Sequence, residues 1–154
     1  MQQTLRLAAV AAVAFGLGCA VARFPRSANA AAPPPQAAAI DLSALTPDAF
    51  PPANPATPHL RTKTLVVEDG ATVAVQMGTI FKHYHEGANE IQVVLEGSGT
   101  EWLGDKQIDL KPGTFVVIPK GTAHGGLTDA SGGKLKFVSI KTPPQDPADV
   151  HPLQ

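Results

Sequence analysis

Between Leu60 and Ile140 the chain alternates short apolar runs with turn residues. The stretch TKTLVVEDGATVAVQM holds two such runs joined at Asp69-Gly70, a dipeptide that favours a tight hairpin. EIQVVLEG, GTEWLGD, KQIDL, GTFVVIP and KLKFVSI follow. Valine, isoleucine, threonine and phenylalanine dominate these runs, and none sustains a 3.6-residue period. The pattern predicts an all-β domain over residues 60–141, folded as a sandwich or small barrel. A domain of about 80 residues buries a single core of marginal stability, so a bound metal or a second subunit would add to it.

The N-terminal third reads differently. Arg6 precedes an apolar run from Leu7 to Ala22, and Ala28-Asn29-Ala30 supplies a small-x-small cleavage pattern, so residues 1–30 are expected to be an export signal. The run is short for a membrane span, which needs about 20 apolar residues. Two other readings stay open. Arg23 and Arg26 between the apolar run and the cleavage pattern suit a retained membrane anchor, and Leu17-Gly18-Cys19 has the form of a lipidation site at Cys19, although Gly16 stands where a large aliphatic residue is wanted. All three readings place the domain outside the cytoplasm, in the periplasm or secreted. Residues 31–59 are rich in alanine and proline and read as a linker without its own core. IDLSALTPDAF is its one apolar island, expected to form a helical turn or to lie across the domain. Residues 142–154 read as a proline-containing tail, with His59 and His151 both exposed.

Charge narrows the partners. Twelve Lys and Arg against thirteen Asp and Glu leave no basic stripe for nucleic acid and no acidic solvating run. The single cysteine, Cys19, lies in the apolar run, so any metal in the β-domain must be held by nitrogen and oxygen.

Such a set of donors is present. In a strand, side chains at i and i+2 share a face, so His83 and His85 point one way and Tyr84 the other. The turn-like EGAN then leads to Glu90, and GTFVVIPKGTAHGG runs a strand through the Pro119-Lys120-Gly121 turn to His124. Three imidazoles and one carboxylate suit a divalent first-row cation: manganese, iron, nickel, copper or zinc. With neutral histidines such a site carries a net charge of about +1 and favours an anionic small molecule. Phe81 and Gln92 share strand parity with these residues and are expected to line the cavity. Gln92 is suited either to orienting a ligand or to supporting Glu90.

At these positions the sequence resembles the cupin superfamily, whose first motif is written G-x5-H-x-H-x(3,4)-E-x6-G. Gly78, His83, His85, Glu90 and Gly97 match it, with four residues instead of five between Gly78 and His83. The second motif, G-x5-P-x-G-x2-H-x3-N, is met by Gly113, Pro119, Gly121 and His124, with Thr128 in place of the final Asn. The resemblance covers about residues 62 to 141. It implies a jelly-roll barrel (a double-stranded β-helix) of six to ten strands, with a metal held inside by His83, His85, Glu90 and His124. Within that family, dioxygenase, decarboxylase, isomerase and lyase chemistries are all open, because a fold does not select a reaction.

Outside the four donors no second acid/base constellation stands out. Glu68, Glu96 and Glu101 flank turns, and Glu86 precedes the Gly87 turn. Gly97, Gly113 and Gly121 are expected in tight turns, and Gly125-Gly126 as a bulge or as space beside a ligand. Trp102 and Tyr84 read as core or interface, Lys82 and Lys120 as solvated. Two functions follow: a metal-dependent enzyme on a small anionic molecule, or a binding module that captures a metal or ligand without turnover. A homodimer formed through the sheets is compatible with either.

Overall fold

The computed structural model describes residues 36–68 and 70–153. Residues 1–30, read above as an export signal, residues 31–35 of the linker, Asp69 and Gln154 lie outside that range. Among the described residues ten strands form, in chain order: β1 (Leu60–Glu68), β2 (Ala71–Gly78), β3 (His83–Tyr84), β4 (Asn89–Glu96), β5 (Gly99–Leu103), β6 (Lys106–Leu110), β7 (Phe115–Ile118), β8 (His124–Asp129), β9 (Lys136–Thr142) and β10 (His151–Pro152). They make two five-stranded antiparallel sheets, ordered β1-β2-β9-β4-β7 and β10-β3-β8-β5-β6. The architecture is all-β, as the alternating pattern predicts, and its two packed sheets are the jelly roll that the cupin resemblance implies. β1 and β2 pair through Glu68↔Ala71, as the hairpin reading requires, with Gly70 at φ +80°.

Strand parity divides the interior into two ends. Leu60, Val94, Leu110, Val116, Ile118, Leu127, Leu135 and Phe137 form one apolar cluster. The same inward faces of β4 and β9 then continue into Glu90, Gln92, Ser139 and Lys141, all buried. The apolar end supplies the core, and the polar end supplies the candidate site. Gly97 shows how tight the apolar end is: its φ is +81°, and a Cβ there would lie 2.6 Å from the Cα of Leu135.

The linker contributes more than its composition suggested. Its apolar island forms a short 3-10 turn, Pro47–Ala49, and lies across the outer face of the first sheet. The Ser43 carbonyl accepts from Lys136 Nζ at 3.4 Å, Pro47 from Arg61 at 3.1 Å and Ala49 from Lys63 Nζ at 3.2 Å. Phe50 is buried, and outward-facing Val75 is fully covered. The island thus forms the helical turn and lies across the domain, the two placements expected for it. The prolines remove backbone donors, but the island between them still buries an aromatic ring. Replacing Phe50 with Ala should lower unfolding free energy by about 3 kcal/mol, read as a shifted denaturation midpoint.

Candidate metal centre

β3 turns His83 inward and Tyr84 outward, and His85 follows on the inward side. His83 pairs with His124 at the start of β8, so two imidazoles meet across one register position. Glu90 approaches from the opposite sheet, on the inner face of β4. All four side chains are buried. A candidate ligand nitrogen from each imidazole lies within 4.8 Å of the other two. Glu90 Oε2 is 3.2 Å from His85 Nε2 and 3.2 Å from His124 Nε2. The structure thus brings together the four residues singled out from spacing.

The far side of each ring decides the chemistry of the near side. His83 Nδ1 donates to the Phe81 carbonyl at 2.9 Å, His124 Nδ1 to the Thr122 carbonyl at 2.9 Å, and His85 Nδ1 to the Asp149 carbonyl. A carbonyl can only accept, so each Nδ1 carries a proton and each ring turns Nε2 toward the centre. Two of those nitrogens, on His85 and His124, lie within hydrogen-bonding distance of the Glu90 carboxylate. Burial, followed by the neighbouring His124 ring, pushes the His83 pKa down to about 4, so that ring is neutral at pH 7 and offers its Nε2 lone pair. Three inward imidazole nitrogens and one carboxylate suit a divalent cation, and imidazoles oriented by backbone carbonyls are the usual supports of such sites. The residues fit a metal.

Gly125 makes room for this arrangement. Its φ is +84°, and a Cβ there would lie 2.6 Å from the Phe81 carbonyl oxygen and 3.0 Å from His83 Nδ1, on the hydrogen bond that orients the ring.

Glu90 is held from behind. Its Oε1 accepts from Ser139 Oγ at 2.7 Å and from Gln92 Nε2 at 3.2 Å, while Lys141 Nζ stands 3.6 Å from Oε2. Burial alone would raise the carboxyl pKa, but the Lys141 charge is the largest effect opposing it and the pKa falls well below the usual value. Glu90 is thus an anion ready for a cation. Of the two residues expected to line the cavity, Phe81 does so, and its ring stands edge-on to His83 at 5.9 Å between centroids. Gln92 is buried and donates to Glu90, the supporting role expected as one of its two alternatives.

The C-terminal segment closes over the centre. Its last described strand, β10, pairs with β3, and the His151 ring stacks on Tyr84 at 4.9 Å between centroids. Asp149 accepts from the Glu86 amide at 2.7 Å and the Gly87 amide at 3.1 Å through its carboxylate. Its backbone carbonyl meanwhile holds His85. His151 is therefore half-buried rather than exposed. Lys82 is also half-buried, its ammonium 4.7 Å from the centre of the Trp102 ring. A cavity of about 490 Å³ opens between this strap and the first sheet, with His83, His85, Ser139, Lys141, Gln145 and Val150 on its wall.

Comparison with known proteins agrees with this architecture. The family described as Cupin domain matches residues 71–141. Quercetin 2,3-dioxygenase of Bacillus subtilis (strain 168) is 38% identical over 61 residues, a match spanning 40% of this chain but only 18% of that protein. Among solved structures, KdgF from Halomonas sp. superposes with a TM-score of 0.52 at 20% identity, covering 58% of this chain and 83% of that one. A Streptomyces PAC13 variant with uridine reaches 0.57 at 15% identity, covering 71% and 88%. The two structures share the fold. The chain is a member of the cupin superfamily.

This cupin carries one buried acid that its sequence did not announce. Glu101 was read as flanking a turn, yet it lies within β5, fully buried, and both carboxyl oxygens lack a hydrogen-bond partner. The alternation in GTEWL turns it to the same inward side as Leu103. Burial, with a smaller contribution from the charge of Glu90, pushes its pKa up to about 8. In metal-free protein the folded state therefore keeps this proton to about pH 8, whereas the unfolded chain releases it near its ordinary value of 4.5. The unfolded state binds fewer protons across that window, so Glu101 makes stability fall as pH rises through it. Replacing Glu101 with Gln removes that slope: chelator-treated E101Q should gain about 4 kcal/mol over wild type between pH 5 and pH 9, measured by urea denaturation at each pH.

Proposed function

We propose that this cupin is an exported metal-dependent enzyme acting on a small anionic molecule, with His83, His85, Glu90 and His124 as the metal ligands. The observation that carries this reading is the convergence of three imidazole nitrogens and one ionised carboxylate inside the barrel, each ring oriented by a backbone carbonyl. A cation held by these four donors would supply Lewis acidity or oxygen activation, and if six-coordinate it would keep two positions for a ligand or oxygen. The chain's own residues contribute the rest. Backbone carbonyls fix the ring orientations, Ser139 and Gln92 hold Glu90, and Val150 of the strap lines the cavity together with Asn54 and Thr57, which precede β1.

The partial likeness to quercetin 2,3-dioxygenase favours a dioxygenase within the range of decarboxylase, isomerase and lyase chemistry. Export rests on the N-terminal apolar run, which places the reaction in the periplasm or outside the cell. Replacing His85 with Ala should remove most of the transition metal from purified protein, read by elemental analysis. Oxygen uptake with flavonols and small carboxylic acids then separates enzyme from binding module: turnover lost in H85A supports the enzyme, and a tightly held, unreacted ligand supports the module.

A homodimer is also part of this reading. The outer face of β7, β4 and β9 carries Phe115, Val117, Ile91, Val93, Val138 and Ile140 side by side, and Phe115 and Val117 are 61% and 55% exposed. A second copy of the chain could bury this strip against itself. Replacing Val117 with Lys should shift a dimer to monomer in light scattering, with metal content unchanged.

A further inference from the structure

Lys141 is the one buried cation beside the candidate centre that the reading above leaves without a task beyond charge balance. It lies on the inner face of β9 and is 7% exposed. That small exposure opens into the cavity shared with His83 and His85. Among the described residues its ammonium makes no hydrogen bond; its nearest anionic contact is Glu90 Oε2, 3.6 Å away. An ammonium has three donors, and burying it with none in use is costly. Glu90 cannot repay that cost in full, because Oε2 is the same oxygen that faces His85 and His124, and Oε1 is already taken by Ser139 and Gln92. Any cation bound by Oε2 would draw its charge away from Lys141. The ammonium would then face the cavity with no protein anion to answer it.

We infer that Lys141 is the anion anchor of this cavity, and that the ligand is a small, oxygen-rich molecule presenting a carboxylate or an ionised enol or phenol to it. This rests on the metal reading above and deepens it. With a divalent cation, Glu90 and Lys141 together, the buried cluster carries a net charge of about +2, which an anionic ligand would lower. The adjoining wall suits the remainder of such a molecule. Thr62, Thr64 and Thr72 project from β1 and β2 with Gln76 beside them, so the surface next to Lys141 offers hydroxyl and amide groups. Gln76 Nε2 donates to Thr62 Oγ1 at 3.3 Å, which orients the amide within that wall. Phe81 and Ile80 line another part of the cavity and would accept the apolar side of the ligand.

The test uses the full-length protein loaded with cobalt(II), whose visible absorption reports ligand entry. Azide serves as the anionic probe and imidazole as the neutral one. In K141Q, azide affinity should fall by about tenfold or more, while cobalt stoichiometry and imidazole affinity stay at the wild-type level. K141R should keep azide affinity within about threefold of wild type, because the positive charge remains. Equal azide affinity in K141Q and wild type overturns the inference. So does a parallel loss for azide and imidazole, or loss of cobalt from K141Q, since either gives Lys141 a structural role only. If wild-type protein takes up no cobalt before any probe is added, the metal reading itself fails and the anchor falls with it.

Discussion

Three hydrogen bonds on the outer side of three imidazoles govern the centre of this molecule. Each runs from Nδ1 to a backbone carbonyl, and each therefore fixes which nitrogen faces the centre. The barrel then directs these nitrogens to one point, and β4 sends an ionised carboxylate to meet two of them. In water such an arrangement would be relieved by protonation or by rotation of the rings. Inside the sheet pair burial resists charging His83, and the carbonyls resist rotation of all three rings. The local geometry is a stored demand for positive charge, and Lys141 meets only part of it.

That demand explains how the rest of the interior is divided. One end of the barrel is an ordinary apolar core built from Leu60, Val94, Leu110, Val116, Ile118, Leu127, Leu135 and Phe137. It fixes the spacing and register of the two sheets, and the polar end uses that spacing. Gly97 and Gly125 sit where backbone must approach closely, one against Leu135 and the other against His83 and the Phe81 carbonyl. Larger residues at either position would disturb the same scaffold from opposite ends.

The parts legible in the sequence were those whose chemistry has few alternative explanations. Tandem histidines at i and i+2, a carboxylate beyond a turn and a third histidine after Pro119-Lys120-Gly121 pointed to a shared site because no soluble strand needs them together. Alternation gave the strands of the barrel. Lys141 and Glu101 were hidden because a charged residue on a strand ordinarily marks the solvent side. Their inward direction follows only from register: Lys141 shares parity with Phe137 and Ser139, and Glu101 with Leu103. β10 was hidden for another reason. Two paired residues in a proline-containing tail carry no period, and their pairing with β3 is a product of tertiary contact alone. Phe50 belongs with them, since an aromatic among prolines reads as linker until the sheet it covers is known.

The Asp149 carbonyl has a consequence for where this protein can be cut. The stretch that bears both motifs ends near Lys141, so a fragment trimmed to that limit would retain every candidate ligand side chain. It would nevertheless lose the acceptor that tells His85 which nitrogen to present, and one of three imidazoles would be free to adopt the wrong tautomer. The working unit is therefore longer than the stretch that carries its signature, and its final segment acts on the centre through main chain rather than side chain.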